Sequence, residues 1–107
     1  MNFTEFYSNC MDAANEVADE VEKFGGDALV LLEQSAHRMA IETYNCVAFE
    51  IVDAMRGDGH LFSNAEYQAS QDLNNYETNF WDLVHRIAYH GALELMHEQA
   101  ERRGLEL

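Results

Sequence analysis

From Phe3 to Phe24 the apolar residues return every three or four positions, as Phe3, Phe6, Tyr7, Cys10, Ala14, Val17, Val21 and Phe24. That period belongs to a helix with one buried face and not to a strand. Asn2 stands at the N-cap position with Glu5 three residues on, and Gly25-Gly26 stands where the chain must leave the helix. The spacing predicts a first helix over Phe3–Phe24.

Asp27 is placed to cap a second helix that reaches Met55 or Arg56. Leu29, Leu32, Ala36, Met39, Ala40, Thr43, Val47, Ile51 and Ala54 form its main stripe, and Val30, Leu31, Ile41, Cys46 and Phe49 lie outside it. A helix apolar on most sides is expected to be central, with neighbours all round. Gly57-Asp58-Gly59 ends it, and His60-Leu61-Phe62 reads as a connector. Ser63 with Glu66 is a capping box that opens a short third helix over Asn64–Leu73. Asn74-Asn75 break that helix, and a last one is expected over Glu77–Arg103, closed by Gly104. Phe80, Trp81, Val84, Ile87, Ala88, Gly91, Ala92, Leu95 and Gln99 mark its inner side. Proline is absent and glycine sparse, which suits no fold with many tight turns. The expectation is all-α: a compact bundle of three long helices and one short helix around a central second helix, as a single helical domain over residues 1–107.

Charge narrows the function. Twenty Asp and Glu stand against six Lys and Arg, a net charge of −14. Solubility in a small domain asks for only about 2–8. With 48% apolar residues the chain still has material for a core, so this is not the composition of a disordered segment. A direct nucleic-acid binder needs a basic footprint, which is missing. An anionic membrane surface would repel the chain. Met1-Asn2-Phe3-Thr4-Glu5 opens no secretory signal, and no 18-residue apolar run follows, so a cytoplasmic location is expected. Cys10 and Cys46, far apart among apolar neighbours, read as free buried thiols rather than a disulfide.

The acids are not scattered evenly. Glu5, Asp12, Glu16, Asp19 and Glu20 project from the first helix opposite its apolar stripe, with only Lys23 against them. Asp12, Glu16 and Glu20 follow one another at i,i+4, where like charges cost a little stability. Such a stripe is either an ordinary solvated face or a surface that meets cations. On the last helix Asp82, Glu94 and Glu101 share the outer side with Arg86, His90 and His97, which mix the charge. Glu33 and Glu50 lie beside the stripe of the second helix and are expected at its wet ends.

Catalytic patterns are not assembled. Glu94-Leu95-Met96-His97 matches one half of a di-iron carboxylate site, which needs a second Glu-x-x-His and two further Glu facing inward. Zinc, nucleotide-phosphate and nucleophile-elbow motifs do not occur. Asp82 and His85 lie one turn apart without a nucleophile beside them, and His37 reads as an interface histidine. No catalytic residue, metal or cofactor is expected.

Leu31–Met55, with His37, Tyr44 and Phe49, and Trp81–Met96, with Ile87-Ala88-Tyr89, give the chain a layout that resembles the Ocr-type antirestriction proteins of bacteriophages and other small acidic phage anti-defence proteins. Its end departs from their very acidic tail and reads Glu101-Arg102-Arg103-Gly104-Leu105-Glu106-Leu107. What the resemblance implies is DNA mimicry inside a bacterial host cell. The acids Glu5, Asp12, Glu16, Asp19, Glu20, Asp82, Glu94 and Glu101 would face a partner protein's basic, nucleic-acid-binding surface, such as that of a restriction or CRISPR complex. A helical protein–protein interaction module working through an apolar surface is the alternative, and a metal-binding bundle a second one. A homodimer, which would extend the acidic surface, is compatible with each.

Overall fold

The computed structural model describes residues 2–73 and 79–107, and among these it is all-α, with five helices and no strand. The first helix, α1, spans Phe3–Phe24 as its period predicts. Asn2 Oδ1 accepts the Glu5 N–H at 2.9 Å, and Gly25 and Gly26 turn the chain with φ of 76° and 116°, where a side chain would be strained. Asp27 Oδ1 accepts from Val30 N at 3.3 Å and opens α2.

The expected long second helix is two helices, α2 (Ala28–Glu42) and α3 (Asn45–Met55), with Thr43 and Tyr44 extended between them. The apolar stripe runs through this break, so periodicity alone does not show it. The carbonyl of Ala40 explains how the break is tolerated. In a continuous helix it would accept the Tyr44 N–H. Here Thr43 Oγ1 donates to it at 2.9 Å, and His85 Nδ1 lies 2.9 Å from it. His85 Nε2 meets Asn45 Oδ1 at 2.8 Å, so one imidazole spans the gap.

The next helix, α4, runs Gly59–Leu73 and starts five residues before the expected point. Asp58, not Ser63, opens it: its Oδ1 accepts the Leu61 N–H at 3.1 Å. His60-Leu61-Phe62 is therefore helix rather than connector, and Leu61 is buried. The Asn74-Asn75 break lies outside the described residues. The last helix, α5 (Phe80–Arg102), is capped by Asn79, whose Oδ1 accepts from Asp82 N at 2.9 Å. It closes with Gly104 at φ 84° and a Leu105 N–H to Ala100 C=O bond of 3.0 Å.

The centre of the bundle is α5, not the second helix: α1, α2, α3 and α4 all pack on it. Its buried residues point several ways, among them Val84, Ile87, Ala88, Gly91, Ala92, Leu95, Met96 and Ala100. Small residues along it let the neighbours come close. A Cβ added at Gly91 would lie 1.9 Å from Met55 Cε of α3. One cluster joins Phe6, Cys10, Leu32, Ile51, Met55, Leu61 and Met96 from all five helices.

Burial separates the cysteines. Cys10 is fully buried and desolvation pushes its thiol from 9.0 up to about 12, whereas Cys46, expected inside, is exposed on α3. With the folded value raised, Cys10 favours the native state below pH 9.0, and that contribution disappears between 9.0 and about 12. A thiol reagent at neutral pH is expected to modify Cys46 alone in the native protein and both thiols in denaturant. Rapid native reaction of both would contradict the packing.

Candidate partner-binding surface

Geometry divides the eight acids of the expected face. On α1, Glu5, Asp12, Glu16, Asp19 and Glu20 are all exposed, opposite the buried Phe6, Cys10, Ala14 and Val17. At about 1.5 Å per residue these five charges span roughly 22 Å, a mean spacing of ~5.6 Å. One DNA strand carries a charge every ~3.4 Å of axis and the duplex one every ~1.7 Å. The stripe thus has roughly three-fifths of the linear charge density of one strand and under a third of that of the duplex.

Arg103 trims it. The guanidinium folds back from the end of α5 and donates to Asp19 Oδ1 at 2.9 Å, Glu22 Oε1 at 3.5 Å and Asn15 Oδ1 at 3.2 Å. Asp19 is therefore partly neutralised inside the molecule. Among the described residues Glu5, Asp12, Glu16 and Glu20 make no ion pair. Asp12 and Glu16 stand on the rim of a groove of about 520 Å³ between α1 and α2, whose other wall carries Arg38, Met39 and Thr43.

The acids of α5 are placed differently. A residue advances about 100° round a helix, which sets Gln99 and Arg103, the α1 contacts, opposite His90 and Glu94. Those two face α4: Glu94 Oε1 accepts from Asn64 Nδ2 at 3.2 Å, and His90 Nε2 bonds Asp72. Glu94 is half-buried and Glu101 pairs with His97 at 3.2 Å. Asp82, Arg86, Glu98 and Glu101 of α5 stay exposed, but Glu94 lies against α4 and away from the α1 contacts, which is why it does not extend the α1 stripe. Asp82 sits elsewhere again, in a depression of about 450 Å³ with His37, His85, Arg86 and Tyr89. Both ring nitrogens of His85 are taken by Ala40 and Asn45, so no Asp82–His85 pair forms. Burial first, then Glu33, raises the Tyr89 hydroxyl above its ordinary range. His37 is exposed and meets the Tyr89 ring edge-on at 6.3 Å; Glu33 and Glu50 are exposed too, but in the middle of α2 and α3 rather than at a helix end.

A second surface was not visible in the period. Phe80 and Trp81, expected on the inner side of the last helix, are 53% and 38% exposed. The first buried residue of α5 is Val84, so its first turn runs past the core. Both rings meet Phe49 of α3, at 5.9 and 6.4 Å between centroids.

Among the described residues no three His, Cys, Asp or Glu side chains converge as metal ligands, and no helix is long and apolar enough to cross a membrane. Comparison with protein-family models, with curated proteins and with solved structures returns no match.

Proposed function

We propose that this protein is a non-catalytic inhibitor of the phage anti-defence kind, which binds a host protein's basic nucleic-acid site and blocks it by mimicking nucleic acid. One observation carries the reading: Glu5, Asp12, Glu16 and Glu20 lie in a row on the exposed face of α1 with no cation paired to them among the described residues. Mixed charges at i,i+4 would stabilise such a helix, and like charges do the opposite. A row kept against that cost is explained by a partner that supplies the cations. Docking would release counterions and draw the partners together at long range, and salt weakens both effects. Rigid helical placement is enough for this, and no reaction is involved.

The interaction-module reading has its own support in the Phe49–Phe80–Trp81 cluster, and the two are compatible on one partner. Affinity capture from a bacterial lysate at low and high salt tests the proposal. Retention of nucleic-acid-binding proteins at low salt, with release by salt and by added nucleic acid, is expected. A partner retained equally at high salt, and indifferent to nucleic acid, would show that the acidic row is only a solvated face.

A further inference from the structure

The groove between α1 and α2 holds charges of both signs that do not meet. Asp12 and Glu16 stand on its α1 wall and Arg38 on its α2 wall, around a volume of about 520 Å³. Arg56, Arg86, Arg102 and Arg103 each lie against a carboxylate of the same chain. Among the described residues Arg38 makes no ion pair, and neither do Asp12 and Glu16 across from it. The groove also holds a hydroxyl that the fold does not use. Ser35 is only 8% exposed and is the one buried polar side chain among the described residues. Thr43 Oγ1 and Ser70 Oγ donate to backbone carbonyls at 2.9 and 2.7 Å, whereas Ser35 Oγ, which lines the groove, has no partner among the described residues. No polar side-chain atom is sealed away without a partner, so this hydroxyl opens to the groove. Buried hydroxyls are normally bonded, and this one is left for a bound group.

The charges select among occupants. A simple anion meets two carboxylates, and a simple cation or polyamine meets Arg38. An apolar molecule would cover three charges and a hydroxyl without pairing any of them. A ligand with two cationic groups and one carboxylate matches all three charges. Basic α-amino acids have that set, and their stem of about three or four methylenes can follow the roughly 5.4 Å turn that separates Asp12 from Glu16. The floor suits such a stem: Phe6 is buried, and Ala13 and Met39 are half-buried beside it.

We propose that the groove between α1 and α2 binds a basic α-amino acid. Its carboxylate pairs with the Arg38 guanidinium and accepts from Ser35 Oγ. Its α-ammonium and side-chain cation take Asp12 and Glu16, and its methylenes lie on Phe6 and Met39. The inference goes beyond the mimicry reading and does not rest on it, although a bound amino acid would occupy two acids of the α1 row.

The test follows backbone amide NMR shifts of the full-length protein at neutral pH and constant ionic strength. The probes are L-arginine, L-lysine, agmatine, which lacks the carboxylate, N-acetyl-L-arginine, which lacks the α-ammonium, and L-leucine, which lacks the side-chain cation. L-arginine and L-lysine should give saturable shifts confined to the two walls of the groove, with a Kd on the order of 1 mM. Each of the other three probes loses one charge contact and should bind roughly fivefold more weakly. Arg38→Gln should weaken L-arginine by a similar factor and leave agmatine unchanged or tighter. Ser35→Ala should weaken L-arginine while the Tm stays the same or rises, because the fold does not use that hydroxyl. Agmatine binding as tightly as L-arginine, with no effect of Arg38→Gln, would make the groove a plain cation site: this inference falls, and docking of a partner's basic side chains on the acidic row stands. L-leucine binding as tightly as L-arginine, shifts spread along all of α1 without saturation, or no shifts would each overturn the inference. So would a Ser35→Ala protein that binds normally or loses stability.

Discussion

Gly91→Val is expected to lower stability by about 3 kcal/mol or more, at the upper end of what overpacking a core costs. The first atom added at position 91 would lie 1.9 Å from Met55 Cε and 3.1 Å from its Sδ. Met55 is fully buried, so its flexible end has no solvent to move into. Against a typical total of about 5–15 kcal/mol, this is a large part of the stability of the chain. Gly91→Ala introduces the same Cβ and should also destabilise, though less than valine, because it adds one carbon instead of three and recovers roughly 1 kcal/mol of helix propensity. The contact is specific enough for a double-mutant cycle. Met55→Ala alone should cost about 2–5 kcal/mol by leaving a cavity. In the Gly91→Val background it should cost less by about 1 kcal/mol or more, because the valine fills the space. Urea titrations of the four proteins measure this, and strict additivity would mean that α3 and α5 do not meet at Gly91.

Glu16→Lys is expected to change stability and binding in opposite directions. In the folded chain Glu16 lies one helical turn from both Asp12 and Glu20, and lysine there turns two like-charge pairs into opposite-charge pairs. At about 0.2–0.5 kcal/mol for each attraction gained and each repulsion removed, the helix gains roughly 1 kcal/mol. The same change moves the net charge by two units, from −14 to −12, and interrupts the unpaired row. Association with a basic partner should slow by roughly tenfold at low salt, within the range that electrostatic steering commands. The native and variant rates should converge as salt shortens the Debye length to about 8 Å near 0.15 M. Binding lost in a more stable protein cannot be blamed on unfolding. A variant that is more stable and binds as fast as the native chain would assign the row to solvent.

The sequence made some of this readable and hid the rest for physical reasons. Helix α1 is legible from end to end because its stripe, its cap at Asn2 and its stop at Gly25 all agree. The break at Thr43–Tyr44 is hidden because the period continues across it. What satisfies the interrupted backbone at Ala40 is partly His85, 45 residues away. Asp58 and Ser63 both have capping chemistry, and Asp58 takes the role while Leu61 enters the core. The acidic row of α1 could be placed in advance because that helix has a wet face. Glu94 could not, since reading its side as outer presumes that α5 lies at the edge of the bundle, whereas α4 packs there. Phe80 and Trp81 follow the helical period into a turn that lies beyond Val84, the first buried residue of the helix. Periodicity gives the direction of a side chain and not whether another helix is there to meet it.

The most direct test of the mimicry reading is displacement. A captured partner is loaded with a fluorescent nucleic acid that it binds, and this protein is titrated in while anisotropy is followed at several salt concentrations. The account predicts complete competitive displacement, weakening as salt rises and shifted to higher concentration by Glu16→Lys. A ternary complex, in which nucleic acid and this protein occupy the partner together at saturation, would contradict it.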